Sequence, residues 1–506
     1  MPQRRYTAVF RPFILSLFSA ALLAAAFPSF NQPALAWVGL VPWLILVRHA
    51  KPRAAFLWSW LIGLLFFLGS IWWLTYVTVV GWIILCLYLG LFFGLFGWVI
   101  VKSGVWRDGP GFARRVVFVA ALWTALEFAR THALSGLGWN LLSYSQAPWP
   151  LAIQLAEVTG AWGISFALVA VNALLAEAWL ARKARVRVLA YLGAAAAGAA
   201  LIGYGLVRLP VPHEGRIVRV TVAQGNIPQE EKWEDRFREP IIAQYERLTR
   251  EAKAAEPELV VWPETSVPGF LELDEPLTQR VMSLSAEVDA PILVGAPHGE
   301  LAGIEWRTTN GAALVESSGV NSWYDKLHLV PFGEFIPFEH TFPWLRDILP
   351  PIGDFLPGEE HTVFRLEPEF AFSVLICFED LFPELARRFV QDGARLLIVI
   401  TNDAWFGPTA AAYQHAQAST LRAVELRTPV IRAANTGWSG CIDEAGRWTG
   451  QVSDPSGRAL FVAGTHTCTP TLSETRTIYQ RFGDWLILVC VLALALVPWR
   501  AYASRR

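Results

Sequence analysis

The feature that most restricts the fold of this chain is a series of long apolar segments. An α-helix needs about 20 largely apolar residues to cross a lipid bilayer. Eight segments of this kind occur, near 11–28, 33–48, 55–76, 79–101, 115–133, 158–181, 187–207 and 484–500. We therefore predict a polytopic α-helical membrane domain of about eight transmembrane helices, with seven of them in residues 1–208. Residues 476–506 are predicted to form the last helix and a cytoplasmic tail.

The net charge of −1 conceals two regions of opposite charge. Residues 1–208 contain 16 Lys and Arg against four acids, whereas residues 209–483 contain 38 acids against 23 bases. With 54% hydrophobic residues and 24 tryptophans, the chain is too apolar for an ordinary soluble protein. The split indicates that the first region lies in lipid and the second in water. The acidic composition of the second region argues against nucleic acid as a partner.

The loops between the apolar segments alternate between basic and neutral. Lys and Arg precede the first segment and follow the second, fourth, sixth and eighth, whereas the intervening loops, such as 133–157, contain none. Basic loops remain in the cytoplasm, so both termini are predicted to be cytoplasmic and the acidic region extracytoplasmic. The first segment also resembles a cleavable signal peptide, and the sequence does not decide whether this helix is retained.

The acidic region, residues 209–475, has the pattern of one α/β domain. Short β-rich runs such as RIVRVTVAQ, LVVWPE, PILVGAP, FSVLICFED and RLLIVITND alternate with helical stretches near 235–254 and 410–427. Such alternation indicates a layered α/β fold. Ligands in α/β folds gather at the carboxyl ends of the strands, so polar residues at those ends are candidates for a functional site.

Three strand ends or the loops near them carry reactive side chains. LVVWPET places Glu264 after a strand, NSWYDKLHLVPFGEF supplies Lys326 and Glu334, and FSVLICFED ends on Cys377. Each of these residues alone is more often a packing or surface residue than a catalytic one. Their joint occurrence in one domain, in this order, favours a catalytic site.

These motifs resemble the nitrilase, or carbon–nitrogen hydrolase, superfamily over roughly residues 216–470. The resemblance rests on WPE, YDK and CFED followed by TNDAWF. It implies an extracytoplasmic nitrilase-like α-β-β-α sandwich with a catalytic triad of Glu264, Lys326 and Cys377. The resemblance also implies the role of each residue: the glutamate is the general base, the lysine stabilises the oxyanion, and the cysteine forms a thioester.

More specific strings narrow the resemblance to the membrane-bound N-acyltransferases that mature bacterial lipoproteins. These strings are QGNIPQEEKW at 224–233, KLHLVPFGEF at 326–335, TNDAWFG at 401–407 and RAANTGWSGCIDEAG at 432–446. Phe335 and Phe378 stand where many relatives have tyrosine. The resemblance implies location in the bacterial inner membrane with the catalytic domain on the periplasmic side. The acyl donor is then a phospholipid, with phosphatidylethanolamine expected, and the acceptor is the α-amine of a diacylated apolipoprotein.

Four further residues are candidates for supporting roles: Glu334, Glu379, Trp233 and Asn310. Glu334 is expected to hold Lys326, Glu379 to orient the Cys377 loop or Lys326, Trp233 to pack near the thioester, and Asn310 to point its amide into the pocket. The aromatic and proline-rich stretch 335–355 is predicted to be a mobile arm that gates entry. The sequence shows no metal-ligand spacing such as HExxH, so we expect no metal and no cofactor. We expect a monomer.

Several alternatives remain open on the sequence alone. Cys86 and Cys490 lie in apolar runs and are expected to pack, while a Cys441–Cys468 disulfide is possible but not established. Glu127 and Arg130 share a helix face in an apolar segment, either as a structural brace or as a functional pair. The chain could also be a membrane-tethered amidase with the same triad. A transporter or receptor with an external ligand-binding domain is a third possibility.

Overall fold

The computed structural model describes residues 2–108, 111–209, 215–232, 234–302, 305–337, 339, 341–344, 355–472 and 474–496. It contains two compact units, which we describe separately. The first consists of Met1–Val211, Thr409–Gln417 and Thr477–Arg506, and the second of Pro212–Pro408 and Ala418–Arg476. Trp233 and most of the predicted arm, residues 338, 340 and 345–354, lie outside the described residues.

The first unit is helical. Its helices are α1 (Pro2–Ala25), α2 (Val41–Val47), α3 (Pro52–Ser70), α4 (Val79–Lys102), α5 (Val105–Asp108), α6 (Phe112–His132), α7 (Pro150–Ile153), α8 (Ala156–Thr159), α9 (Ala161–Leu180) and α10 (Ala184–Arg208). The next helices in the chain are α11 (Arg238–Ala252), α12 (Glu275–Val288) and α13 (Pro383–Gln391), which belong to the second unit, and α14 (Ala411–Leu426), which lies in the first unit as far as Gln417. The last two, α15 (Ile478–Phe482) and α16 (Trp485–Ala495), belong to the first unit.

Several of these helices could span a membrane. By length and composition, α3, α4, α9 and α10 are suited to cross a bilayer, and shorter apolar helices cover Arg11–Ala25, Pro33–Val47 and Trp485–Ala495. Helix α6, at the fifth predicted span, is 21 residues long but carries four charged side chains. The described part of the chain therefore has several apolar helices that could span a membrane, and the count of eight stays a prediction.

The charged residues of the first unit are hydrogen-bonded where they are buried. Glu177 on α9 accepts hydrogen bonds from Arg115 at 2.6 and 2.8 Å and also from Arg48. Glu127 accepts a hydrogen bond from the backbone N–H of Leu142 at 2.8 Å. Arg130 donates to the carbonyl oxygens of residues 137 and 139. Glu127 and Arg130 therefore both fasten the loop that follows α6, as a structural brace would.

The second unit is built on two six-stranded sheets. The strands are β1 (Arg216–Ile217), β2 (Val220–Gln224), β3 (Leu259–Val261), β4 (Ile292–Ala302), β5 (Glu305–Glu316), β6 (Gly319–Asp325), β7 (Phe364–Glu367), β8 (Phe370–Ile376), β9 (Leu396–Thr401), β10 (Val430–Ala434), β11 (Gly440–Ile442), β12 (Trp448–Gln451), β13 (Gly464–Cys468) and β14 (Thr471–Leu472). The sheet orders are β13-β2-β3-β4-β5-β6 and β12-β11-β10-β9-β8-β7, and β1 pairs with β14.

Each sheet has a parallel centre. The pairs β2–β3, β3–β4, β8–β9 and β9–β10 are parallel, and the outer pairs are antiparallel. Every residue of β8 and β9 is buried, which explains why these strands read as continuous apolar runs. Helices α11 and α12 pack against the first sheet through an apolar core that includes Ile241, Leu284 and Val294. Within one sheet, neighbouring parallel strands end at the same edge, so the residues that follow β8 and β9 lie close together.

A disulfide joins the two sheets. Cys441 on β11 is bonded to Cys468 on β13, with Cα atoms 5.7 Å apart. The sequence had left this pairing open. Cys86, Cys377 and Cys490 form no disulfide; Cys86 and Cys490 are buried, as expected of packing residues, and Cys377 is half-buried. Cys377 is therefore the accessible thiol among the described cysteines.

Candidate active site

The structure brings Glu264, Lys326 and Cys377 together. Glu264 lies in the loop after β3, Lys326 directly follows β6, and Cys377 directly follows β8. The ammonium nitrogen of Lys326 lies 3.5 Å from Oε1 of Glu264. The charges of both residues also act on the Cys377 thiol. An acid, a cation and a thiol therefore meet at the strand ends, which is the arrangement that the sequence predicted.

The carboxylate of Glu264 is held on both of its oxygens. Its Oε1 accepts a hydrogen bond from Nδ2 of Asn310 at 2.8 Å, and its Oε2 accepts one from the backbone N–H of Asn402 at 2.9 Å. Only 6% of Glu264 is exposed. A carboxylate fixed in this way keeps one orientation towards its neighbours and can accept a proton without first reorganising.

Lys326 is held as a buried cation. Its Nζ donates to Oε1 of Glu334 at 2.9 Å, closer than its contact with Glu264, and the residue is 1% exposed. Burial lowers the pKa of Lys326, but the charges of Glu334 and Glu264 outweigh it and raise the pKa above its ordinary value. Lys326 therefore remains protonated and provides a permanent positive charge beside the thiol.

Cys377 occupies a sharp turn. It begins the 3₁₀ turn Cys377–Leu381 with φ of 53°, in the left-handed region that side chains other than glycine rarely adopt. Such outliers cluster at functional sites because the surrounding structure must hold them. Burial and the charge of Glu264 raise the pKa of Cys377 well above its usual range, while Lys326 and the Thr401 side chain oppose this. The resting group is therefore the neutral thiol, which needs a base to become a nucleophile.

Glu379 ties the Cys377 turn to the loop that carries Lys326. Its carboxylate accepts hydrogen bonds from the hydroxyl of Tyr324 at 2.8 Å and from the backbone N–H groups of Leu327 at 2.7 Å and Ile376 at 2.7 Å. Burial raises the pKa of Glu379 to about 7. The position suits both orienting roles expected of this residue, for the Cys377 loop and for Lys326.

Asn310 and Glu334 complete the acid cluster. Nδ2 of Asn310 donates to Glu264 and, at 2.9 Å, to Oε1 of Glu334. The other oxygen of Glu334 accepts the backbone N–H of Val330 at 2.8 Å. The Asn310 amide and the Lys326 ammonium thus each contact both carboxylates. Trp233, the remaining candidate, lies outside the described residues.

Two residues that the sequence reasoning did not select also contact Glu264. The backbone of Asn402 binds its carboxylate, and Nζ of Lys232 donates to its carbonyl oxygen at 3.0 Å and to Oγ1 of Thr265 at 3.1 Å. Burial lowers the pKa of Lys232 to about 7. Asn402 could have been found, because it directly follows the buried strand LLIVIT. Lys232 lies within the string QGNIPQEEKW that carried the family resemblance, but nothing in that string distinguished it from the charged residues beside it.

The part of the chain that the structure describes contains one group with a metal-like arrangement of ligand atoms, formed by Cys441, His466 and Cys468. Both sulfur atoms of this group are joined in the disulfide. They therefore provide no thiolates for a metal ion.

Family models match both parts of the chain. One, described as apolipoprotein N-acyltransferase N-terminal domain, matches residues 19–174, and another, described as carbon-nitrogen hydrolase, matches residues 219–466. The second match covers all but the last two residues of the two six-stranded sheets, and it includes all three residues of the proposed triad. An amidase of the nitrilase superfamily from Nesterenkonia AN1 aligns with 55% of this chain and 98% of its own, at 18% identity and a TM-score of 0.40.

Relatives that align over most of the chain share one name. A protein from Geobacter metallireducens is 35% identical over 98% of this chain and 96% of its own length. Another from Allorhizobium ampelinum is 33% identical over 90% and 87%, and one from Sinorhizobium fredii is 36% identical over 84% and 82%. All three are named apolipoprotein N-acyltransferase. On this similarity across both units, the chain belongs to the apolipoprotein N-acyltransferase family.

Proposed function

We propose that this chain transfers a fatty acyl group from a phospholipid to the α-amine of the N-terminal diacylglyceryl-cysteine of apolipoproteins, through a thioester on Cys377. The observation that carries the mechanism is the grouping of the Cys377 thiol, which forms no disulfide, with the proposed base Glu264 and the buried cation Lys326. Membership of the family carries the substrate class.

The first half-reaction forms the thioester. Glu264 accepts the proton of the Cys377 thiol, and the thiolate attacks the ester carbonyl carbon of the phospholipid. Negative charge develops on the carbonyl oxygen, and the Lys326 ammonium stabilises it from a buried position, where a charge acts more strongly than in water. The ester C–O bond then breaks, the glycerol oxygen takes the proton from Glu264, and a lysophospholipid leaves.

The second half-reaction transfers the acyl group. The neutral α-amine attacks the thioester carbonyl, and Glu264 accepts the proton that the amine loses. Lys326 again stabilises the oxyanion. The C–S bond breaks, an amide is released, and the sulfur recovers its proton from Glu264. Both steps use Glu264, Lys326 and Cys377. The lysophospholipid leaves before the amine reacts with the thioester, so the kinetics are ping-pong.

The same grouping would serve an amidase that uses water in the second step, and the experiment below distinguishes the two. We propose the acyltransferase because the carbon-nitrogen hydrolase region is accompanied by the matched N-terminal domain and by apolar helices suited to a bilayer. Both substrates of the transfer carry lipid chains, so a membrane-bound site gives them access without leaving the bilayer.

We further propose that the catalytic domain, residues 209–475, faces the periplasm of a bacterial inner membrane. About eight helices cross the bilayer in this proposal, and both termini are cytoplasmic. The alternating basic loops support the orientation. The Cys441–Cys468 disulfide supports it as well, since disulfides persist in oxidising compartments such as the periplasm. Phosphatidylethanolamine is the proposed donor and a monomer the proposed state.

The function is tested with the purified full-length chain, phosphatidylethanolamine and a diacylated lipopeptide. We expect a triacylated lipopeptide and a lysophospholipid in equal amounts, and, when the lipopeptide is omitted, a hydroxylamine-labile acyl group on Cys377 detected by mass spectrometry. Cys377→Ala should abolish both. Free fatty acid without lipopeptide acylation would indicate a hydrolase, and acyl transfer by Cys377→Ala would overturn the thioester mechanism.

A further inference from the structure

The end of strand β9 lies beside the nucleophile. Strands β8 and β9 are parallel neighbours in which Ile376 pairs with Ile400. The next residues along the two strands are Cys377 and Thr401, so the last residue of β9 lies next to the first residue of the Cys377 turn. Thr401 is fully buried, and its side chain forms a hydrogen bond with Cys377 that lowers the pKa of the thiol.

The Thr401 hydroxyl has a second partner. It donates to Oδ1 of Asp403 at 3.2 Å. The Asp403 side chain is in turn 3.9 Å from the guanidinium of Arg432 on β10, and Arg432 is also paired with Asp380 at 2.6 Å. Arg432 and Asp380 are both fully buried. One internal guanidinium therefore faces the carboxylates of both Asp403 and Asp380.

A hydroxyl group has one proton to donate and lone pairs to accept with. When Cys377 is a thiol, its S–H can donate to Oγ1 of Thr401 while the hydroxyl donates to Asp403. When Cys377 is a thiolate, the hydroxyl proton is available to the sulfur instead. Thr401 can thus serve both protonation states of the sulfur by rotating about one bond.

We propose that Thr401 is a further catalytic residue, whose hydroxyl binds Sγ of Cys377, and that Asp403 and Arg432 act through it as positioning residues. The proposal rests on the proposed role of Cys377 as the nucleophile. It gives the TND turn two functions, because the backbone N–H of Asn402 holds Glu264 from the same turn. One strand end thus positions both the base and the nucleophile.

The charged groups around the thiol come from several elements. They are Glu264 after β3, Lys326 after β6, Asp403 after β9, Arg432 on β10, and Glu379 and Asp380 in the Cys377–Leu381 turn. Asp403 acts against ionisation of the thiol and Thr401 acts in favour of it. Removing the Asp403 charge should therefore lower the pKa of the thiol, and removing the Thr401 hydroxyl should raise it. A purely structural role would not produce these opposite shifts.

The test measures the rate of Cys377 alkylation by iodoacetamide over a pH series, with the full-length protein and peptide-level mass spectrometry. The midpoint is the pH at which the alkylation rate is half of its maximum. Thr401→Val should raise this midpoint by about one pH unit, and should slow acylation of Cys377 by phospholipid about tenfold at neutral pH. Thr401→Ser keeps the hydroxyl and should match the native chain. Asp403→Asn should move the alkylation midpoint down.

An unchanged midpoint in Thr401→Val, or an upward shift in Asp403→Asn, would overturn the proposal. If Thr401→Val does not fold, the Asp403→Asn midpoint and the match between Thr401→Ser and the native chain decide. Failure of the proposed function is separate, because alkylation reports on the sulfur alone. A native chain that transfers no acyl group could still show both shifts.

Discussion

Removing the charge of Glu334 should slow acylation of Cys377 while leaving the fold intact. Glu334 is the nearer of the two carboxylates around Lys326, at 2.9 Å against 3.5 Å for Glu264. At an effective dielectric constant of about 20, two unit charges at that nearer distance attract by roughly 6 kcal/mol before desolvation is considered. In Glu334→Gln the amide oxygen retains part of this contact as a hydrogen bond. We therefore expect a net loss of about 3 kcal/mol in transition-state stabilisation.

Two effects contribute to that loss. The Lys326 ammonium should move towards Glu264, so that the proposed base accepts the thiol proton less readily. The glutamine also has only one oxygen for the two sets of donors, Lys326 and Asn310 on one side and the Val330 N–H on the other. A loss of about 3 kcal/mol corresponds to a fall of roughly 10²-fold in rate.

The assay is single-turnover acylation of Cys377 by phosphatidylethanolamine, followed by mass spectrometry of the Cys377 peptide. Glu360→Gln is the matched control, because Glu360 is an exposed carboxylate of the same domain. It should acylate at the native rate and unfold at the native temperature. Acylation of Glu334→Gln within about threefold of the native rate would refute the reasoning, since it would mean that Lys326 does not depend on Glu334.

Three further outcomes are expected. Glu379→Ala removes the carboxylate that accepts hydrogen bonds from the backbone N–H groups of Leu327, His328 and Ile376. The free energy of unfolding, measured by thermal unfolding, should fall by about 3 kcal/mol, and the acylation assay should show no acylation of Cys377. Burial lowers the pKa of Lys232 to about 7, so between about pH 7 and 10 unfolding takes up a proton and the free energy of unfolding rises with pH. The slope is about 1.4 kcal/mol per pH unit. Lys232→Met should lose this rise in thermal unfolding measured across that range. The double variant Cys441→Ser, Cys468→Ser opens a link across 27 residues and should lose roughly 3.5 kcal/mol, whereas a reductant should lower the unfolding temperature of the native chain only.

The candidate active site was predictable where strand geometry and residue chemistry coincide. Cys377 follows a buried parallel strand, and an apolar run that stops at a polar residue is visible in the sequence. Glu264 likewise comes soon after the buried parallel strand β3. Lys326 follows β6, a partly buried antiparallel edge strand, so the YDK motif and not an apolar run marked it. The assembly of the three needed the two sheets to be packed, and the resemblance to a family supplied that expectation.

Other features depend on contacts that sequence spacing does not encode. Asn402 binds Glu264 through its backbone, and a backbone N–H has no residue-specific signal. Lys232 is separated from its partner by 32 residues and lies in a charged loop. The left-handed φ of Cys377 is a property of the folded turn, and the disulfide required two strands from different sheets to meet.

The amide of Asn310 has a consequence for which molecules the site admits. It binds both Glu264 and Glu334 without adding charge, so these two carboxylates share the single positive charge of Lys326 and net negative charge remains among the three side chains. On the proposed function, we expect this negative charge to repel the phosphate of a donor lipid and to keep the headgroup away from the sulfur. We expect the same charge to attract the ammonium form of the acceptor, close to the carboxylate proposed to take its proton.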